Sequence, residues 1–252
     1  MSVTVFSSTG CIRCDIVKNY LSSRGLPFVE HNIKTNDGNE AFKAFYREHR
    51  SEIRRDEHGI FFPVVFDGNR VVQDAGVTLA WFMCGNALDA AITPNNLGHG
   101  WIGGLNISAC ADGPEVSFLE ILRLLKAGGL STELLCSGKN AALLQTVLDE
   151  KLADRLIFRL AASLTESAEL SQSLRTAIDR AGKAEILYFL DIQGSDGRLA
   201  PAEVAECARL MAEATGDNRL PLRIFNSNAE DSTNLLPYRT EARRWQVLAE
   251  LA

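Results

Sequence analysis

The chain has 252 residues and a mass of 27.6 kDa, a length that fits two small domains or one large α/β domain. Hydrophobic residues make up 46% of the chain and charged residues 23%, a globular composition that excludes wholesale disorder. The net charge of −6 and the pI near 5.3 argue against a nucleic acid or an anionic membrane surface as the partner.

The expected location of the chain is the cytoplasm. No apolar run approaches the roughly 18 residues of a membrane-spanning helix, so no membrane partner is expected. The segment Met1–Phe6 lacks the basic start and the long apolar run of a signal peptide, and it predicts a strand instead. In a reducing compartment, closely spaced cysteines are more often redox or metal-binding groups than structural disulfides.

Residues 1–93 are predicted to form one α/β domain. Strand patterns, helical spacing and turn residues alternate along it. The predicted elements are a strand at Val3–Phe6, a helix from about residue 14 to 24, a strand at Phe28–Ile33, a helix at about 39–52, a hairpin at 61–72 with its turn at Asp67–Asn69, and a helix at 77–85.

Residues 94–252, which follow the turn-rich segment 93–98, predict a second domain of repeated βα units. Strand starts recur every 25–35 residues or so, as in βαβ units, so we expect a parallel sheet, either open or part of a (β/α) barrel. The predicted strands are Leu105–Ser108, Ser131–Cys136, Arg155–Leu160, Glu185–Leu190 and Leu222–Asn226, and the helices are Ser117–Lys126, Asn140–Lys151, Ser167–Arg180, Pro201–Ala214 and Thr240–Leu251.

The chemistry is predicted at Cys11-Ile12-Arg13-Cys14, between the first strand and the first helix. A cysteine at the start of a helix faces unpaired N–H groups and the positive end of the helix dipole, which favour the thiolate. Cys11 is therefore the expected nucleophile, and Cys14, one helical turn later, is the expected resolving thiol. The charge of Arg13 also favours the thiolate.

Pro63 is the second element of the predicted site. The Phe62–Pro63 bond is a candidate for the cis form, which in folded proteins is a property of proline. A proline at the start of a strand beside the dithiol leaves the preceding backbone free to pair with a substrate. Arg13, Phe62 and Pro63 are therefore predicted to line a substrate groove.

In residues 1–90 the order strand, CxxC, helix, strand, helix, Phe-Pro-Val and Asp-Gly hairpin resembles the glutaredoxin family. It is most similar to the glutaredoxin-like electron donors of ribonucleotide reductase, in which Asp also follows the CxxC, as Asp15 does here. The resemblance implies a thioredoxin fold, Cys11 as the nucleophile, Cys14 as the resolving thiol and Pro63 as the cis-proline.

The sequence departs from that family at two places. Phe61-Phe62 stand where glutaredoxins carry Thr-Val, and Gln73-Asp74-Ala75-Gly76 replaces the Gly-Gly-x-Asp stretch that binds glutathione. These departures argue against glutathione as the reductant. The Arg- and Glu-rich run 47–58 also lengthens the segment before the hairpin, and it is interpreted as a solvated helix end, with a docking surface for an acidic partner as the alternative.

Two thiolates do not complete a four-ligand zinc site, and the histidines show no finger spacing, so neither a metal nor another cofactor is predicted. Cys110 and Cys136 follow or end neighbouring strands of the second half. They are predicted either to be buried packing residues or to form a second thiol pair that receives electrons from Cys11 and Cys14. Cys84 and Cys207 lie in apolar helical patterns and are predicted to be packing residues.

The second half more weakly resembles the barrel of the radical-SAM enzymes that activate glycyl-radical enzymes. The resemblance is carried by Gly103–Ser108, Gly113-Pro114-Glu115, Ala127–Glu133, Cys136-Ser137-Gly138 and Leu235–Tyr238. The CxxxCxxC motif that holds the iron–sulfur cluster of those enzymes is absent from this sequence, so the second half is interpreted as a similar barrel without that cofactor.

The function predicted from the sequence is a cytosolic thiol–disulfide oxidoreductase of the glutaredoxin type that transfers electrons to a disulfide-bearing protein. The second half is predicted to select that partner, and its resemblance points to anaerobic radical metabolism. Two alternatives stay open: a module that binds a soft metal or a persulfide, and a degenerate radical-SAM relative that acts with a glycyl-radical enzyme.

Overall fold

The structure is a computed structural model that describes residues 3–56, 59–84, 102–106, 115–136, 141–161, 167–180, 184–194, 197–228 and 230–251. It divides into two compact units. Unit 1 comprises Met1–Gly104 and Gly113–Thr132, and unit 2 comprises Leu105–Asp112 and Glu133–Ala252. No helix in the described ranges is both long and apolar enough to cross a membrane.

Unit 1 contains a mixed four-stranded sheet with the strand order β2-β1-β5-β6. The elements are β1 (Val3–Ser7), α1 (Ile12–Ser23), β2 (Phe28–Asn32), α2 (Asn36–His49), β3 (Arg55–Asp56), β4 (Gly59–Ile60), β5 (Val64–Phe66), β6 (Val71–Gln73) and α3 (Ala75–Cys84). The central strand β1 pairs in parallel with β2 and antiparallel with β5, which in turn pairs antiparallel with β6. This mixed sheet with its helices is the thioredoxin-like arrangement that the sequence predicts.

The core of unit 1 is aromatic because Phe6 on the central strand meets side chains from several elements. The Phe6 ring lies 5.2 Å from Phe42 and 4.8 Å from Phe45, both on α2. Ile53 and Val64 are buried in the same cluster. Ile53 precedes β3 and Val64 begins β5. The cluster therefore holds both ends of the segment that leads to Pro63.

The Arg- and Glu-rich run 47–58 is only partly helical, so its interpretation as a solvated helix end needs correction. Helix α2 ends at His49, and the chain then forms an antiparallel hairpin in which Arg55 pairs with Ile60. Ile53 supplies the physical reason, because its side chain is 6% exposed and anchors the segment in the core. A longer helix would have no such anchor, and the segment instead turns back toward β5.

Unit 1 also contains α4 (Glu115–Ala127), which packs against α3. Gly128, directly after α4, lies so close to Ile16 of α1 that a Cβ atom has no room there. Arg24, at the end of α1, forms an ion pair with Glu120 of α4. The helices of unit 1 are therefore contacted by residues that follow position 93, while the domain boundary at 93/94 stays a prediction.

The second sheet of the chain is an open six-stranded sheet with the order β14-β13-β10-β9-β8-β7, of which β9, β10, β13 and β14 lie wholly in unit 2. The elements after α4 are β8 (Thr132–Cys136), α5 (Ala141–Asp149), β9 (Arg155–Ala161), α6 (Ser167–Arg180), β10 (Glu185–Asp191), β11 (Gln193–Gly194), β12 (Gly197–Arg198), α7 (Pro201–Thr215), β13 (Leu222–Phe225), α8 (Leu236–Ala242) and β14 (Ala249–Leu251), and β7 (Ile102–Asn106) precedes α4. The pairs from β8 to β14 are parallel. The predicted parallel βα architecture is confirmed.

The strands of this sheet follow one another in chain order, so the connections between them all cross the sheet in one direction. Right-handed crossovers taken in one direction place the connecting helices on the same face of the sheet. Side chains alternate accordingly: Tyr188 and Leu190 of β10 are buried, whereas Phe189 between them is half-buried beside the exposed Arg223. One face of the described strands is therefore a dry core, and the other carries mixed aromatic and charged side chains.

The predicted helix at Thr240–Leu251 is wrong. Helix α8 starts earlier, with Pro237 in its first turn, and ends at Ala242, after which β14 adds a sixth strand beside β13. The Arg243 Nε donates a hydrogen bond to the Ala249 carbonyl at 2.9 Å and stabilises this change of direction. Pairing with β13 supplies the backbone partners that a helix would otherwise provide, and this tertiary contact outweighs the local helical pattern.

Candidate functional site

Cys11 and Cys14 form a disulfide at the start of α1, with Cα atoms 5.3 Å apart. Cys11 is the N-cap residue, with extended backbone, and its Sγ accepts a hydrogen bond from the Cys14 N–H at 3.2 Å. Its sulfur thus occupies the position where a capping oxygen satisfies the free N–H groups of a helix. When the pair is reduced, the same N–H group and the helix dipole favour the thiolate of Cys11.

The two sulfur positions differ in access. Cys11 is half-buried, whereas Cys14 is fully buried on the inner face of α1. An external disulfide can therefore approach Cys11 but not Cys14. This asymmetry is what a mechanism with an attacking and a resolving thiol requires.

The strand register places Pro63 at the same edge of the sheet as the segment Cys11–Cys14, here called the cysteine loop. β1 ends at Ser7, four residues before Cys11, and Phe6 lies opposite Val64. Pro63, which precedes Val64, therefore stands beside the end of β1. The Phe62–Pro63 peptide bond is cis, and Pro63 is buried.

The other two predicted groove residues, Phe62 and Arg13, lie in different surroundings. The Phe62 ring packs 5.5 Å from the Phe42 ring, so much of this side chain belongs to the core rather than to an open groove. Arg13 is half-buried, and its guanidinium interacts electrostatically with the carboxyl of Asp74.

Gln73 is a site residue that sequence reasoning missed. Its buried side chain accepts a hydrogen bond from the Arg54 N–H at 2.6 Å and donates to the carbonyls of Arg54 at 3.1 Å and Phe61 at 3.0 Å. One amide thus ties the β3–β4 segment to the backbone just before Phe62 and Pro63. No local pattern signals this role, because all its partners are backbone atoms 12 or more residues away.

Asp74 is the second missed residue. Val64 pairs with Gln73, so Asp74 lies beside Pro63 at the same edge. Its backbone has a φ of 76°, a left-handed conformation that Asn and Asp tolerate better than most residues, and its Oδ1 accepts a hydrogen bond from the Gly76 N–H at 2.9 Å. Burial raises the pKa of this carboxyl, against the opposing effects of Arg13, the Gly76 N–H and Arg54. An aspartate just before an apolar helix is a helix-start signal that sequence reading can detect.

Replacing Asp74 with Asn is expected to raise the free energy of unfolding at pH 7. Because the folded-state pKa of Asp74 lies above its ordinary value of 3.8, the unfolded chain loses this proton first, and stability falls as the pH rises through that window. Asn cannot ionise, yet it keeps the acceptor for Gly76 and tolerates the positive φ. Urea unfolding at pH 7 and at pH 3 measures the effect, whose gain should vanish at pH 3; a loss of stability at pH 7 would contradict it.

The remaining cysteines are placed as far as the described residues allow. Cys207 is free and buried on α7, and burial raises the pKa of its thiol to about 12, so it is a packing residue as predicted. Cys136 ends β8, next to β7 in the sheet, but its side chain, that of Cys84 and all of Cys110 lie outside the described residues. Both interpretations of Cys110 and Cys136, packing residues or a second thiol pair, therefore stay open. Within the described part of the chain, no three His, Cys, Asp or Glu side chains are grouped so as to hold a metal ion.

Comparison with known proteins gives one match. The glutaredoxin family model matches residues 3–72, a range that runs from β1 into β6 and includes Cys11, Cys14 and Pro63. No curated protein and no solved structure matches the chain significantly. The similarity of the second half to radical-SAM activating enzymes stays unconfirmed.

Proposed function

We propose, from the premise that residues 3–72 are a glutaredoxin domain, that this protein is a thiol–disulfide oxidoreductase that reduces a protein disulfide through Cys11 and Cys14. The observation that carries the proposal is the difference between the two sulfurs: Cys11 caps a helix and is accessible, while Cys14 is buried within disulfide distance of it. The cis-proline at the same sheet edge supports it further.

The proposed reaction consists of two exchange steps. The Cys11 thiolate attacks one sulfur of the substrate disulfide, forms a mixed disulfide and releases the other substrate sulfur as a thiolate, which takes up a proton. The Cys14 thiol then loses its proton and attacks the Cys11 sulfur. This step closes the Cys11–Cys14 bond and releases the second substrate thiol, so two electrons pass from the dithiol to the substrate.

The proposed site of substrate binding is the backbone before Pro63. The backbone before Pro63 is fixed by the hydrogen bond from the Gln73 amide to the Phe61 carbonyl. Arg13 lies between Cys11 and Cys14 in the cysteine loop. A substrate strand that pairs with the backbone before Pro63 would present its disulfide to Cys11. Because a dithiol must be regenerated for each turnover, the proposed setting is the reducing cytoplasm.

Unit 2 is proposed to select the partner protein. It is a separate compact unit, and its free cysteine among the described residues, Cys207, is buried and inert as a thiol. These features support a role of unit 2 that does not use Cys207 as a redox thiol. The partner is proposed to be a disulfide-bearing protein, with anaerobic radical metabolism as the first place to search.

Counting alkylated cysteines tests the proposed redox couple. Treatment of the full chain with a dithiol reductant, followed by denaturation and alkylation, should add two alkylated thiols compared with the oxidised protein, and peptide mapping should assign them to Cys11 and Cys14. Reoxidation of the folded chain by a disulfide-bonded peptide should remove these two thiols and yield two peptide thiols per protein. If the peptide is not reduced by protein in which both cysteines are thiols, the oxidoreductase proposal fails.

A further inference from the structure

Arg54, in the segment before Pro63, is held beside Gln73 at the edge of the sheet where the dithiol lies. Arg54 directly precedes β3, and both its backbone N–H and its carbonyl are bound by the Gln73 amide, at 2.6 and 3.1 Å. Gln73 is 3% exposed and is followed directly by Asp74. The position of Arg54 is therefore fixed relative to the strand edge, although its side chain is exposed.

Arg54 and Arg13 both act on the carboxyl of Asp74. The register places Asp74 beside Pro63, the backbone of Arg54 is bound by the neighbouring Gln73, and the guanidinium groups of both arginines interact electrostatically with the Asp74 carboxyl. Arg13 directly precedes Cys14. The two cations, here called the arginine pair, therefore lie near the end of the sheet that carries Cys11 and Pro63.

In the part of the chain that the structure describes, the Asp74 carboxyl interacts electrostatically with both members of the arginine pair. Its Oδ1 also accepts a hydrogen bond from the Gly76 N–H. Among the described side chains, Asp15 is held by Lys18 at 3.1 Å and Glu52 by His49 at 2.8 Å. The described structure gives neither Arg13 nor Arg54 an ion pair within 4.0 Å.

We propose that the arginine pair, Arg13 and Arg54, selects substrates whose disulfide is flanked by an acidic peptide segment. This proposal rests on the oxidoreductase function proposed above and adds the class of substrate to it. A strand bound along the backbone before Pro63 would carry its flanking side chains past both guanidinium groups. Charged groups at the edge of a binding site contribute mainly to selectivity and to the rate of encounter.

The test compares three disulfide-bonded peptides that differ only in the three residues next to the cysteine, which are Glu, Gln or Lys. For the full chain at low ionic strength, kcat/KM should be about fivefold higher for the Glu peptide than for the Gln peptide, as expected from exposed ion pairs. The ratio should approach 1 in about 0.5 M salt because the Debye length shrinks. Turnover of the Gln peptide reports the proposed function itself, so its loss is distinguishable from a lost preference.

Two matched variants assign the preference to its residue. Arg54→Gln keeps the backbone contacts with Gln73 and should lower the Glu-to-Gln ratio about threefold, whereas Arg50→Gln, an exposed arginine of the same segment, should keep the ratio of the unchanged protein. Equal ratios in the two variants would overturn the proposal. Oxidised glutathione serves as a fourth substrate. The proposal would also be overturned if Arg54→Gln lowered kcat/KM for oxidised glutathione while the unchanged protein showed no preference for the Glu peptide over the Gln peptide.

Discussion

Replacing Cys11 with Ser should lower the rate of disulfide reduction by about 1,000-fold or more, because it removes the only accessible sulfur of the pair. A serine hydroxyl is not ionised at neutral pH and does not form a disulfide with a substrate. The fold should be unaffected, since serine is a favoured N-cap residue and its oxygen can accept the hydrogen bond from the Cys14 N–H. The measurement is the rate of thiol release from a disulfide-bonded peptide.

Two further variants serve as controls for the Cys11→Ser result. Cys14→Ser should keep the first exchange and accumulate a mixed disulfide at Cys11, which mass spectrometry detects as one peptide added per chain. Cys207→Ala should keep the rate, since burial raises the pKa of that thiol to about 12. If Cys11→Ser retained its rate while Cys207→Ala lost it, the nucleophile would have been assigned to the wrong cysteine.

The elements of the redox site that depend on local sequence could be predicted, and those that depend on register could not. The placement of Cys11 and Cys14 follows from a strand, a turn and a helix within about 20 residues, each with its own local signal. The contact of Gln73 with Arg54 and Phe61 joins parts of the chain that are 19 and 12 residues apart. No periodicity or turn signal specifies which backbone atoms a buried amide will meet.

Residues 240–251 show that local patterns have the same limit in predicting the fold. The spacing in Thr240–Leu251 is compatible with a helix, and a local reading has no reason to end it at Ala242. The structure ends it there because Ala249 and Leu251 pair with Leu222 and Ile224 of β13. An edge strand gains its stability from a neighbour, so its presence depends on the sheet that the rest of the chain forms. Four of the five predicted strands of the second half are, by contrast, found to within one residue at each end, and the fifth, Leu105–Ser108, overlaps β7 only at residues 105–106.

Arg155 of β9 should be the most sensitive charged residue of unit 2. Its NH1 group lies 3.1 Å from Oε2 of Glu133, a carboxylate with no exposed side-chain surface, and its Nε lies 2.6 Å from Oε2 of the exposed Glu185. Register explains the contacts, since Arg155 stands opposite Glu133 on β8 and Glu185 on β10. The guanidinium thus bridges three neighbouring strands.

Replacing Arg155 with Leu should lower the free energy of unfolding by about 3–5 kcal/mol at pH 7, the usual cost of removing one member of a buried ion pair. Glu185→Gln is the matched control, because it removes the exposed carboxylate from the same arginine and should cost at most about 1 kcal/mol. Adding Glu133→Gln to Arg155→Leu should recover a large part of the loss. The measurement is urea unfolding followed by circular dichroism.

The loss should also depend on pH in a definite direction. Burial raises the pKa of Glu133 above its ordinary value of 4.5, while the hydrogen bond from Arg155 opposes that shift. Without Arg155 the folded-state pKa rises further, so the carboxyl binds its proton more tightly in the folded chain than in the unfolded one, and stability falls as the pH rises above 4.5. The destabilisation by Arg155→Leu should therefore be largest at neutral pH and smaller below pH 4.5. An equal loss at both pH values would show that packing of the arginine stem, not charge, is what Arg155 contributes to the sheet.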